Sequence, residues 1–123
     1  DYGEDVVLKY ERSKFKDQPE LQKLICKAEN DSDGYDILSR TSDGMEKYIE
    51  VKTTTKKFTN AGFFITSNEL ERAKINKDYH IYMVFVNQDK SCQVWEAGNL
   101  FHPVNDKVDI QPTNFSVTFY LEK

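Results

Sequence analysis

The sequence predicts an α/β domain built on a mixed sheet. Three observations carry that expectation. Short apolar, strand-length runs recur along the chain between helical patterns. A turn signal, Thr41-Ser42-Asp43-Gly44, joins two strand-like runs into a hairpin. A segment with helix-start signals then separates that hairpin from the most continuous apolar run in the chain. The resulting order is helix, strand, hairpin, helix, strand and further strands, which calls for both antiparallel and crossover pairing.

The elements follow in turn. "YGEDVVLKYERSKFK" reads as a helix whose apolar stripe carries Val7, Leu8 and Phe15, with Glu4 and Glu11 flanking it. "DQPELQ" is a break and one helical turn, and "LICKAEN" a short strand. "GYDILSR" and "MEKYIEVKT" form the hairpin, and "TKKFTNAG" is a basic loop ahead of the apolar stretch "FFIT". In "TSNELERAKINK", Thr66 and Glu69 have capping-box spacing, with Leu70 and Ala73 on the inner face. "YHIYMVFVN" reads as the central strand and "SCQVWEA" as another, with Trp95 in the core. The tail "NFSVTFYLE" alternates as a half-exposed strand does.

Composition narrows the function. At 123 residues the chain is one domain spanning residues 1–123, and 13% aromatic content suits a packed core. It opens on Asp1 and reads as a piece of a longer protein. No apolar run approaches the ~20 residues that cross a bilayer, and no signal peptide leads the chain. Cys26 and Cys92 lack metal-ligand spacing and read as reduced core residues of a cytoplasmic protein, or of a nuclear one in a eukaryote. His80 and His102 lie in unrelated contexts, which disfavours zinc, and a nucleotide-binding glycine loop is missing. A net charge of −4 disfavours DNA binding by charge alone but suits a site that holds a divalent cation.

The chemistry concentrates on the hairpin. Side chains two apart on a strand share a face, so Glu50 and Lys52 project together with Tyr48, opposite Ile49 and Val51. The bland reading is an exposed strand face with a weak ion pair. Whether Asp36 joins them depends on register. A two-residue turn at Asp43-Gly44 sets Asp36 opposite Val51, whereas a three-residue loop Ser42-Asp43-Gly44 pairs Thr41 with Met45 and sets Asp36 opposite Glu50. Two opposed carboxylates suit Mg²⁺, for which Mn²⁺ can substitute, with the Val51 carbonyl as a further ligand. Lys52 would then orient water or stabilise charge on a phosphorane.

"GYDI" followed by "IEVK" resembles the D…(E/D)xK signature of the PD-(D/E)XK nucleases, and the usual proline before the aspartate is replaced by Tyr35, as in the Mrr-like branch. "VVLKYERSKF", "GYDILSRTSDGMEKYIEVKTT", "FFITSNELERA" and "YHIYMVFV" together resemble the C-terminal domain family named after the plant protein NO VEIN, up to about Val86. The resemblance implies a restriction-endonuclease-like core of helix, three-strand meander, helix and strand, with additional C-terminal strands. It implies Asp36 and Glu50 as metal acids, Lys52 as the catalytic lysine, and Glu4 as the helix glutamate, with Glu11 competing for that role. The implied activity is Mg²⁺-dependent cleavage of DNA in a restriction, defence or DNA-processing protein, with fused or associated helicase or ATPase domains and a possible homodimer. Lys56, Lys57, Asn68 and Arg72 are the candidate DNA contacts. A catalytically silent docking fold and an RNA-directed nuclease are the alternatives.

Overall fold

The computed structural model describes residues 2–55 and 63–101. It contains helix α1 (Tyr2–Ser13), the single turn α2 (Pro19–Gln22) and α3 (Ser67–Ile75). Its strands are β1 (Cys26–Lys27), β2 (Ile37–Arg40), β3 (Glu46–Thr54), β4 (Tyr79–Val86) and β5 (Cys92–Gly98). These five form one sheet in sequence order, antiparallel except for the parallel pair β3–β4. Only a crossover can join parallel neighbours, and the connection from β3 to β4 carries α3. The fold is therefore α/β with a mixed sheet.

One apolar cluster gathers Val7, Phe15, Ile25, Ile37, Ile49, Tyr82 and Val84 beneath α1. The other gathers Ala73, Tyr79, Ile81, Met83, Phe85 and Phe101 beneath α3. β4 alternates between the two, which explains why its sequence is apolar from Ile81 to Val86: it is covered on both faces. Full burial of each isoleucine here contributes about 1.5–3 kcal/mol.

Several expectations need correcting. α1 stops at Ser13, and Phe15 is buried from the turn that follows, because the chain swings it under the helix end. β4 is second from the edge among the described strands, and β3 holds the middle. Trp95 is 45% exposed on the outer strand β5, and Cys26 is exposed on the two-residue edge strand β1, so neither is core. In both cases the outward position of an edge strand overrides the residue's apolar character. The predicted tail strand lies outside the described residues.

The hairpin has the three-residue loop. Thr41 N–H donates to the Met45 carbonyl at 2.8 Å and Gly44 N–H to Thr41 at 2.9 Å. Gly44 takes φ +86°, the left-handed conformation such a loop needs and glycine adopts without strain. The ladder then pairs Ile37 with Ile49 and Ser39 with Lys47. Extending that register by one residue brings Asp36 to Glu50.

Candidate active site

Asp36 sits one residue before β2, after a 3₁₀ turn (Asp31–Asp33) closed by Gly34 at φ +80°. Its backbone continues the sheet, donating to the Ile49 carbonyl at 2.9 Å. Its carboxylate replaces the next ladder acceptor, with Oδ2 taking the Val51 N–H at 2.8 Å. Glu50 and Lys52 follow on β3 on the α3 face, with Tyr48, which stacks edge-on with Tyr35 at 5.0 Å. The exposed-face reading fails here, since Glu50 is only 3% exposed and the Lys52 side chain 16%.

Lys52 Nζ lies between two carboxylates, 3.0 Å from Glu50 Oε2 and 3.1 Å from Glu69 Oε1. Burial alone would depress the lysine, but the Glu50 charge, its hydrogen bond and Glu69 outweigh it and hold the ammonium above its ordinary range. Burial, then the Asp36 charge, pushes Glu50 up to about 9 despite Lys52. Asp36 is also raised, by burial, although the Val51 N–H opposes the shift. Glu50 Oε1 is buried and receives no hydrogen bond. Two ionised carboxylates cannot donate to each other, so only a shared proton or a cation relieves this pair.

That orphaned oxygen and the set of hard oxygen donors fit Mg²⁺, which is typically held by one or two carboxylates plus water. The N–H and C=O of a strand residue share one edge, so the Val51 carbonyl turns towards the same side as Asp36. Among the described residues, no group of three or more His, Cys, Asp or Glu side chains is arranged to hold a metal ion, so the described donors amount to two acids and a carbonyl.

The two helix glutamates separate cleanly. Glu4, half-buried in the first turn of α1, has its carboxyl raised by burial and then by Asp36, which brings it within electrostatic reach of the pair. Glu11 belongs elsewhere. It is fully buried on the α1 face, bonded to Ser39 Oγ and Tyr82 OH at 2.8 Å each, with Lys14 at 2.8 Å and Lys47 at 3.4 Å. Those donors outweigh its burial and lower its carboxyl. The seven-residue step from one glutamate to the other, about two helical turns, carries them to different parts of the sheet.

Of the expected DNA contacts, Asn68 and Arg72 are exposed on α3 beside Gly34, with Asn68 Nδ2 donating to the Ser32 carbonyl at 3.4 Å. Lys56 and Lys57 lie outside the described residues. Two site neighbours gain their roles from the structure. The sequence reads Glu69 as a capping residue rather than a ligand, on a helix that the resemblance sets beside the site, and Tyr79 as an apolar strand residue. Tyr79 OH donates to the Gly34 carbonyl at 2.8 Å, and burial followed by the charges of Glu50, Glu69 and Asp36 raises the phenol, which therefore stays a donor. A depression of about 430 Å³ along α1, lined by residues including Asp5, Arg12 and Gln22, includes none of the expected site residues.

No helix among the described residues is long and apolar enough to cross a membrane. Comparison with curated proteins and with solved structures gives no match. A family model does match, over residues 3–96, ten residues beyond Val86 and into β5. With all but the first residue of α1, and the hairpin, α3 and β4, inside that span, the chain belongs to the family described as Protein NO VEIN, C-terminal.

Proposed function

We propose that this domain is a metal-dependent endonuclease module hydrolysing DNA phosphodiester bonds, built on a restriction-endonuclease-like core of the PD-(D/E)XK type, in its Mrr-like branch. The observation that carries the reading is buried Glu50 with half-buried Asp36 opposite it and half-buried Lys52 at 3.0 Å, because three ionisable groups converge where most water is excluded.

Asp36 and Glu50, with the Val51 carbonyl, would hold Mg²⁺ or Mn²⁺. A bound ion of this kind supplies Lewis-acid polarisation of the phosphodiester and acidifies water. The chain's own residues do the rest. The Val51 N–H fixes the Asp36 carboxylate, and Glu50 would serve as a ligand only once deprotonated, its proton passing to solvent. Lys52, kept charged, would stabilise charge developing on the phosphoryl oxygens or orient the attacking water. Glu4 adds negative charge at the rim, and exposed Arg72 and Asn68 offer phosphate contacts. In a parent protein, an attached helicase or ATPase motor would deliver the strand, and a homodimer would allow cutting of both strands in a cytoplasmic or nuclear setting.

The test is nicking of supercoiled plasmid with Mg²⁺ or Mn²⁺. Wild type should nick, and Glu50→Ala and Lys52→Ala should both abolish nicking while remaining folded. Nicking retained in both variants overturns the reading. A wild-type domain that shifts DNA in a gel and never cuts it favours a silent docking fold instead.

A further inference from the structure

Glu69 has two jobs at once in this structure. Its backbone N–H donates to Thr66 Oγ1 at 3.1 Å and its carboxylate accepts the Thr66 N–H at 3.0 Å, closing the capping box of α3. The same oxygen, Oε1, lies 3.1 Å from Lys52 Nζ on β3. A cap needs only local partners, and 17 residues separate Glu69 from Lys52. The cap therefore fixes a carboxylate that reaches across to the sheet. Lys52 has four rotatable side-chain bonds and would spread over several rotamers if held by Glu50 alone. Glu69 on one side and Glu50 on the other leave it one position, with the Phe63 ring 5.8 Å away.

We infer that Glu69 is a positioning residue for Lys52, tying the N-terminus of α3 to the candidate active site so that the ammonium is held beside Glu50. The functional half of this inference rests on the nuclease reading, and the structural half does not. A cation taken up by Asp36 and Glu50 would draw Glu50 away from Lys52, leaving Glu69 as the partner that keeps the lysine in place.

Two measurements on the domain separate the two halves. The first is metal-free: the rate at which an amine-acylating reagent modifies Lys52, read by mass spectrometry at fixed pH. Glu69→Gln keeps an acceptor for Thr66 N–H but loses the ion pair, so Lys52 should react several-fold faster than in wild type, with buried Lys47 as the internal reference. Thr66→Ala weakens the cap through its own side chain and should leave Lys52 protected, which excludes a simple loss of helix stability. Unchanged Lys52 reactivity in Glu69→Gln overturns the inference, whether or not the domain cuts DNA.

The second is single-turnover cleavage beside DNA affinity. Glu69→Gln should slow cleavage about tenfold or more, as loss of a supporting carboxylate commonly does, with DNA affinity unchanged. Wild-type cleavage rates in Glu69→Gln overturn the positioning role. If wild type itself does not cut, the nuclease reading fails and the acylation rates alone decide whether Glu69 holds Lys52.

Discussion

Replacing Glu50 by glutamine should reverse its effect on stability between acid and mildly alkaline pH. Glutamine is nearly isosteric and cannot ionise, so it mimics the protonated carboxyl. The carboxyl of Glu50 titrates at about 9 in the folded domain against an ordinary value of 4.5, chiefly because it is buried and faces Asp36. A folded-state value raised in this way means that the folded chain holds the proton more tightly. The associated stability is complete below pH 4.5 and is lost as pH climbs towards 9. At about 1.36 kcal/mol per pH unit, the span from 4.5 to 8 amounts to a penalty on the order of 5 kcal/mol for wild type, and the glutamine variant escapes it.

Against this, the amide matches the hydrogen-bond geometry of the protonated carboxyl between Asp36 and Lys52 imperfectly, which costs about 1–2 kcal/mol. In metal-free buffer, Glu50→Gln should thus be roughly 1 kcal/mol less stable than wild type near pH 4.5 and roughly 3 kcal/mol more stable at pH 8. For a domain of this size, the alkaline gain corresponds to about 10 °C in Tm. Urea denaturation in EDTA at four or five pH values measures it. A stability difference that stays flat from pH 5 to 8 would refute the reasoning, because it would mean that Glu50 ionises in the fold as freely as in the unfolded chain.

Four more outcomes follow from the same geometry. Mg²⁺ at about a hundred times its Kd should stabilise wild type by about 2.7 kcal/mol. By calorimetry its affinity should rise with pH as Glu50 is deprotonated, and Asp36→Asn should show neither effect. Glu11→Ala should destabilise by about 3–5 kcal/mol, since it strands buried Lys47 beside Tyr82. Glu4→Gln should barely change stability yet alter the Mg²⁺ response, so urea melts with and without Mg²⁺ tell the two glutamates apart. Gly34→Ala should cost about 1–2 kcal/mol from its left-handed φ of +80°. It should also move Arg72, whose Cγ would lie 3.0 Å from the new methyl, and weaken DNA binding in a gel shift.

The NO VEIN C-terminal family match and the Asp36, Glu50 and Lys52 cluster bear on each other through α3. The helix that follows the hairpin supplies the residue gripping Lys52 and the exposed face carrying Asn68 and Arg72. A single rigid element thus lies against both the candidate chemistry and the candidate phosphate contacts, and shifts of α3 would disturb the two together.

Much of this protein is written locally. The two-residue period of "YIEVK" determined which side chains share a face, whereas the turn signal left two-residue and three-residue loops open, and only the observed register set Asp36 opposite Glu50. The Thr66–Glu69 spacing determined where α3 begins. The shared faces and the helix start follow from dihedral preferences and hydrogen bonds that span a few residues. Tertiary structure decided what such signals cannot carry. It took Glu11 into a buried network with Lys47 and Tyr82 while leaving Glu4 near Asp36, although both lie on one helix. It put Trp95 on an outward face, and it turned a capping glutamate into a partner for a lysine on a distant strand. Burial and long-range pairing depend on which surfaces the whole sheet and its helices bring together, and no short stretch of sequence contains that information.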